Sequence, residues 1–270
     1  MKRNKHIPHF IVLFFCILLL LTNACKTDAS LAVMKHDCTT GTPVHDTIVL
    51  LVMGQSNAAN AGEKKYEAHC ENTFNYFEEI LYPLKDPLKG ANGEAGSVWS
   101  RLGDKMVEHN FARTVIIVPC AVGGTKIEQW IPGGDLNHLI LETVQHLNNS
   151  GLKVTQVLWH QGESNHVLLS GGLAPEQNAA NYTAKFHLLL NYLRSIGIDA
   201  PVYPAMATRC GGAPDFVLQE AQQNLANDSL KIFNGPNTDS LDNSYRYDNC
   251  HFSKAGLDLH AQLWLEVLMN

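Results

Sequence analysis

The stretch TIVLLVMGQSN, residues 47–57, decides the fold, because an unbroken apolar run ends at a glycine and polar residues follow at once. Similar runs of strand length occur at 114–118, 154–159, 202–207 and 231–233. They are rich in Val and Ile and largely free of polar residues, which is typical of parallel strands buried on both faces.

Helical patterns separate these runs. Apolar residues recur at helical spacing in three segments: 136–147, 182–193 and 257–268. Pro175 and Ser253 stand where helices begin. Strands that alternate with helices predict βαβ units and one parallel sheet between helix layers, an α/β fold. The stretch 60–96 is the least regular, and its length indicates a wall of a binding site.

The first 24 residues differ from the rest. Three basic residues, Lys2, Arg3 and Lys5, precede the twelve apolar residues of 10–21, and small residues follow, as in a secretion signal. Twelve residues are too few for a membrane-spanning helix, which needs about 20. We therefore expect the chain to be exported from a bacterial cytosol to the periplasm, the outer membrane or the medium.

Residues Leu21 to Cys25 also resemble a bacterial lipobox, although the usual leucine three places before the cysteine is Thr22. Cys25 is then either the lipidated first residue of the mature protein, anchored to a membrane, or incidental to ordinary cleavage nearby. These patterns predict a signal peptide over 1–24, a polar tether over 25–45 and one domain over 46–270.

Charge and cysteine content narrow the functions further. Without residues 1–24, 17 basic and 26 acidic residues remain, which argues against nucleic acid as a partner. Five of the seven cysteines follow Cys25. Their pairing cannot be read from their spacing, and we expect most of them to be small buried apolar residues.

The residue after the first apolar run is a candidate nucleophile. In an open parallel sheet, ligands bind at the carboxyl ends of the strands. Gly54 permits a tight turn there and places Ser56 at the mouth of such a site, where a hydroxyl needs an adjacent base. The alternative is that Ser56 only caps a helix. Ala58 replaces the second glycine of Gly-x-Ser-x-Gly, which argues against an ordinary α/β-hydrolase elbow.

Two more strand ends carry polar or glycine-rich segments. Gly123 and Gly124 follow the second run, and their backbone N–H groups could hold an oxyanion, unless they form a plain turn. The segment HQGESN, 160–165, follows the third run, and its buried polar groups must meet a ligand or one another.

Asp248 and His251 stand three residues apart, just before the last helical segment. At this spacing the carboxylate can reach one ring nitrogen, which leaves the other free to take a proton from Ser56. A histidine near an aspartate also arises by chance, so this pair alone is weak evidence.

Together, four motifs in this order resemble the SGNH hydrolase superfamily, and within it the sialate O-acetylesterase and acetylxylan esterase family: GQSN (54–57), AVGGT (121–125) with Trp130 beyond, HQGE (160–163) and Asp248-x-x-His251. The similarity covers about residues 46–268. It implies a flavodoxin-like three-layer α/β/α sandwich with a parallel sheet, the SGNH hydrolase fold, and a reaction without metal or other cofactor.

The resemblance also implies roles for particular residues. Ser56 is the nucleophile, His251 the general base, and Asp248 the carboxylate that fixes the imidazole tautomer. The oxyanion donors are the backbone N–H of Ser56, that of Gly123 or Gly124, and the side chain of Gln161. Three further residues support this network: Gln55, Asn57 and Glu163. Glu163 could also compete with Asp248 as the partner of His251.

The expected function is therefore removal of acetyl groups from a carbohydrate, acetylated xylan or O-acetylated sialic acid. The family commonly shows methionine and glycine after Asn57, where this chain has Ala58-Ala59-Asn60, so its substrate is open. One alternative is a GDSL-type lipase or lysophospholipase, and another is a carbohydrate-binding protein without catalysis. A third is metal-dependent hydrolysis through three histidines: His160, His166 and His251. The sequence predicts no oligomeric state.

Overall fold

The computed structural model describes residues 34–270. The predicted signal peptide, 1–24, and the candidate lipidation site, Cys25, lie outside the described residues. Within 34–270, no helix combines the length and the apolar character needed to cross a membrane.

The described residues form six strands and five α-helices, which alternate from α1 to α4. The strands are β1 (His45–Gly54), β2 (Thr73–Phe77), β3 (Ile80–Pro83), β4 (Ala112–Ala121), β5 (Gln156–His160) and β6 (Val202–Pro204). The helices are α1 (Val98–Glu108), α2 (Asn137–Asn149), α3 (Pro175–Ser195), α4 (Phe216–Gln223) and α5 (Lys254–Met269). Pro175 begins α3 and Ser253 caps α5, as the sequence predicts.

The strands form one sheet in the order β3-β2-β4-β1-β5-β6, which confirms the α/β fold. Residues 231–233, predicted as a strand, lie beside β6 and pair with Val202 through two backbone hydrogen bonds, of 2.9 and 3.0 Å. Apart from β2 and β3, the order across the sheet is β4-β1-β5-β6, followed by 231–233. When these five segments are numbered along the chain, this is the flavodoxin-like order 2-1-3-4-5.

The sequence predicts a parallel sheet, but β2 and β3 pair antiparallel at the edge of the observed sheet. Glu78 and Glu79 join them in a two-residue turn with φ of 47° and 63°. A two-residue turn permits only an antiparallel pair. Such turns usually contain Asn or Gly, so a Glu-Glu turn inside 60–96 carries no hairpin signal.

The core lies on both faces of the sheet, and β1 explains why its sequence is continuously apolar. Ile48, Leu50 and Val52 point to the layer of α1 and α5. Val49, Leu51 and Met53 point to the layer of α2 and α3. Successive side chains of a strand alternate between faces, so burial on both sides demands apolar residues at every position.

Helix α1 lies outside the predicted helical segments, although its apolar residues Val98, Trp99, Leu102 and Met106 recur at helical spacing. Nine of its eleven residues are buried, including Arg101 and Asp104, so burial extends beyond the apolar stripe. Helix α4 is not among the predicted helical segments either, and it has only eight residues.

Four of the five cysteines after Cys25 form disulfides, so the expectation that most are small apolar residues is wrong. Cys38 pairs with Cys70 and Cys210 with Cys250, whereas Cys120 is free and buried. The Cys38–Cys70 bond attaches part of the predicted tether, 25–45, to the domain.

The carboxyl ends of β4, β1 and β5 lie at one level, because Gly54 pairs with both Ala121 and His160. Gly54 has φ of +134°, and a Cβ atom there would lie 2.0 Å from the carbonyl oxygen of His160. Only glycine therefore fits at this strand end.

We predict that Gly54→Ala lowers the free energy of unfolding by about 3 kcal/mol or more, through strain and the clash with β5. Gly151→Ala is the matched control, since Gly151 also has positive φ but open space around it. It should cost only about 1 kcal/mol. Urea unfolding measures both, and equal losses would contradict the proposed packing.

Candidate active site

A cavity of about 740 Å³ opens at the carboxyl ends of the central strands. All four sequence motifs contribute residues to its wall: Gln55 and Ser56, Gly123 and Gly124, Glu163, and His251. Three other predicted residues lie outside this wall: Asn57, Gln161 and Asp248. The topology thus brings together segments that are almost 200 residues apart in the chain.

Ser56 occupies the first turn after β1. The chain forms a single 3-10 turn there, Ser56–Ala58. The Ser56 carbonyl accepts a hydrogen bond from the N–H of Ala59 at 3.0 Å. Gly123 approaches so closely that a Cβ atom on it would lie 3.4 Å from the Cβ of Ser56. A side chain at 123 would therefore be in van der Waals contact with the serine.

His251 is held by Asp248, as the sequence predicts. Asp248 Oδ2 lies 2.7 Å from His251 Nδ1, and Asp248 Oδ1 accepts the backbone N–H groups of Cys250 and His251 at 3.0 and 2.7 Å. Burial alone would raise the pKa of Asp248, but the hydrogen bonds from His251 and Cys250 more than offset it and hold the pKa below its usual value. Asp248 is therefore an anion that orients the imidazole.

The two glycines differ in their hydrogen bonding. Gly123 N donates to Asn92 Oδ1 at 2.8 Å. Gly124 lies in the cavity wall and has φ of +73°. Its backbone N–H has no acceptor within residues 34–270. Of the two, Gly124 has the amide that is free for a ligand.

Gln161 is fully buried beneath the cavity. Its Nε2 donates to Asn165 Oδ1 at 2.7 Å, to the Thr125 carbonyl at 3.1 Å and to Gln55 Oε1 at 3.2 Å. The resemblance assigns the Gln161 amide as an oxyanion donor, but in the structure this amide is already hydrogen-bonded to these protein acceptors.

Gln55 and Asn92 instead bring side-chain amides to the cavity wall. Gln55 Oε1 accepts the N–H of Ser164 at 3.1 Å, and Asn92 Oδ1 accepts that of Gly123. Neither NH₂ group has an acceptor in the described part of the chain. Sequence reasoning missed Asn92; the only signal for it was the prediction that 60–96 forms a wall.

Glu163 belongs to a buried network and not to His251. Its Oε1 accepts Asn57 Nδ2 at 2.8 Å and lies 3.3 Å from His160 Nε2. Burial would raise the pKa of Glu163, but the hydrogen bond and charge of His160, together with Asn57, hold the pKa below its usual value. Burial and the neighbouring His160 lower the pKa of His260 well below its usual value, so His260 is neutral.

The three histidines of the metal-dependent alternative do not converge. His166 and His251 line the cavity, but His160 is buried with Nδ1 3.2 Å from His260 Nε2 and Nε2 facing Glu163. Among residues 34–270, these three imidazoles do not form a group within coordinating distance.

Comparison with known proteins identifies relatives of this chain. The family model described as "Carbohydrate esterase, sialic acid-specific acetylesterase" matches residues 46–266. A curated protein of Arabidopsis thaliana, named "Probable carbohydrate esterase", is 28% identical over 157 residues, which are 57% of this chain and 55% of that protein. The match thus spans about half the length of this relative.

Solved structures share the fold. A protein of Arabidopsis thaliana superposes with a TM-score of 0.66 at 20% identity, over 84% of this chain and 99% of the other. The structure of NanS superposes with a TM-score of 0.57 at 14% identity, over 85% and 98%.

We predict that Glu163→Gln lowers the free energy of unfolding by about 3 kcal/mol at neutral pH, because it leaves His160 buried without its carboxylate. The pKa of Glu163 is lower in the folded state. Its contribution is therefore present above the unfolded pKa, about 4.3, and is lost as pH falls through the folded pKa. Urea unfolding between about pH 7 and pH 3 should show the two proteins converging in acid.

The matched control is Glu220→Gln, since Glu220 is exposed and makes no side-chain hydrogen bond within the described chain. This variant should match the wild type within about 0.5 kcal/mol at every pH. A Glu163→Gln deficit that does not change with pH would show that the carboxylate charge contributes nothing.

Proposed function

The chain belongs to the carbohydrate esterase family described as sialic acid-specific acetylesterases, as its four motifs predict, and from this premise we propose that it is a serine esterase that removes O-acetyl groups from carbohydrates. One observation carries the proposal. Ser56 and His251, which are almost 200 residues apart in the chain, line one cavity, and Asp248 is hydrogen-bonded to Nδ1 of the imidazole.

In the first half of the reaction, Ser56 Oγ attacks the carbonyl carbon of the acetyl ester while His251 Nε2 accepts its proton. Asp248 keeps the proton of the neutral ring on Nδ1 and stabilises the imidazolium that forms. His251 then gives the proton to the leaving sugar oxygen. An acetyl group is left on Ser56.

In the second half, water replaces the sugar and attacks the acetyl-serine ester. His251 again accepts a proton, and it returns this proton to Ser56 as acetate leaves. No protein group is consumed over the cycle.

Four donors can stabilise the oxyanion of both tetrahedral intermediates. We assign the backbone N–H groups of Ser56 and Gly124 and the side-chain amides of Gln55 and Asn92, because the latter three line the cavity and have no acceptor among residues 34–270. Each such donor is worth about 10²–10³ in rate. Gln161 holds Gln55 in place.

The charge of the cavity favours a neutral sugar. No lysine or arginine is among its lining residues in the part of the chain that the structure describes. Lys126 and Arg209 donate instead to the carbonyls of Leu169 and Gly212. Glu163 lines the cavity, but its carboxylate is buried on Asn57 and His160. The carboxylate of a sialic acid would therefore find no lysine or arginine partner in this wall. We therefore propose acetylated xylan, or a similar neutral polysaccharide, before sialic acid.

A second candidate function rests on the apolar part of the wall. Leu168 and Leu169 line the cavity although 85% and 55% of their surfaces are exposed. Exposed leucines at a site can contact an alkyl chain. This observation favours a GDSL-type lipase or esterase that accepts longer acyl groups.

We also propose that the chain is exported, with Cys25 as a lipidated anchor. Two disulfides in the domain agree with an oxidising compartment. Mass spectrometry of the mature N-terminus distinguishes lipidated Cys25 from plain cleavage.

The test is acetate release from acetylxylan and from O-acetylated sialic acid by the wild type and Ser56→Ala. We expect acetylxylan to be the better substrate and the variant to lose at least about 10³-fold in kcat. Equal rates of wild type and variant would refute the esterase mechanism. p-Nitrophenyl esters of rising chain length separate the two candidates, because octanoate faster than acetate supports the lipase.

A further inference from the structure

The cavity wall contains a covalent link that the reaction above does not use, the Cys210–Cys250 disulfide. Cys250 stands between Asp248 and His251 in the chain, and both cysteines line the cavity. We propose that this disulfide is a positioning element that holds the Asp248–His251 pair against Ser56, so that full activity requires the bond. The proposal rests on the esterase function proposed above.

The pair sits on the loop 246–252, in which Arg246, Cys250 and Phe252 are buried and residues 247–249 are exposed. Its base is fixed, because Arg246 and Phe252 form an antiparallel bridge and the Arg246 guanidinium also lies over the Phe252 ring. Its tip is not buried, since Asp248 and Asn249 are exposed and Asn249 has φ of +66°. The hydrogen bond of Asp248 to His251 joins two residues of this same loop. It therefore orients the ring but does not fix the loop relative to Ser56.

The loop on the other side of the disulfide, 210–213, is also exposed and contains Gly211 and Gly212. Its start is anchored, because Asp239 accepts the backbone N–H of Arg209 at 2.9 Å. Between 210–213 and 246–252, the described structure has one hydrogen bond besides the disulfide, from Gly211 N to the Asn249 carbonyl at 2.9 Å.

Exposed loops with few hydrogen bonds open at low free-energy cost. The disulfide ties 246–252 to the chain that follows β6, and thus to the sheet that carries Ser56. Three hydrogen bonds also link this loop directly to the segment after Ser56: Asn57 Nδ2 to the Cys250 carbonyl at 3.4 Å, Tyr247 Oη to the Ala61 carbonyl at 3.3 Å, and Glu63 N to the Phe252 carbonyl at 3.0 Å. None of them involves Asp248 or His251, whereas the disulfide is attached at the residue directly before His251. A displacement of about 1 Å at a catalytic group can cost about 10² in rate, so a looser loop should lower kcat.

The other disulfide provides a matched control. Cys38 and Cys70 join the segment before β1 to the segment before β2, and neither lines the cavity. Its removal takes away a cross-link of similar loop length without touching the site.

The experiment compares the wild type with Cys210→Ser/Cys250→Ser and with Cys38→Ser/Cys70→Ser, on p-nitrophenyl acetate. We expect the first double variant to lose about 10- to 100-fold in kcat, with KM within about threefold, and the second to keep kcat within about twofold. A dithiol should reproduce the loss in wild type. The dithiol reduces the protein disulfide to two cysteine thiols and is itself oxidised to a cyclic disulfide. Reoxidation of the protein should restore kcat.

A second readout does not depend on activity. Hydrogen exchange of the backbone N–H groups in 246–252 should be faster in Cys210→Ser/Cys250→Ser than in the wild type or in Cys38→Ser/Cys70→Ser, because the loop opens more often without its cross-link. Unchanged kcat in Cys210→Ser/Cys250→Ser overturns the proposal, and so does a lower kcat with unchanged exchange in 246–252. A wild type inactive on the ester contradicts the proposed function instead, and the exchange rates then decide the role of the disulfide alone.

Discussion

The register of three parallel strands is the constraint on which the site depends. Gly54 of β1 pairs with Ala121 of β4 and with His160 of β5, so three strand ends stop at one level. The segments that follow must therefore share one edge of the sheet. Ser56 follows β1, the glycine pair follows β4, and Glu163 follows β5. Backbone pairing of the three strands is therefore enough to bring these segments together.

The parts of the fold that follow simple periodicity could be predicted from the sequence. Strands β1, β4 and β5 are apolar on both faces, and α2, α3 and α5 have one apolar stripe, so period and burial agree. The β2–β3 hairpin is an exception, because it turns at Glu78-Glu79 without the residues that usually mark such a turn. Helix α1 has an apolar stripe, but its polar residues Arg101 and Asp104 are buried as well, which periodicity does not show.

The site was predictable where one motif supplies both partners, as Asp248 and His251 do. It was less predictable where the partner comes from elsewhere in space. Whether the Gln161 or the Gln55 amide faces the cavity depends on acceptors from Thr125 and Asn165, which no local pattern contains. The same holds for the disulfides, because cysteine spacing does not encode which loops meet.

The most direct test is the reaction of the protein with an alkyl p-nitrophenyl phosphonate, followed by mapping of the label by mass spectrometry. The account predicts phosphonylation at Ser56, slowed by at least about 10²-fold in His251→Ala because the hydroxyl then lacks its base. Label on Ser164, which also lines the cavity, or an equal rate in His251→Ala would contradict it.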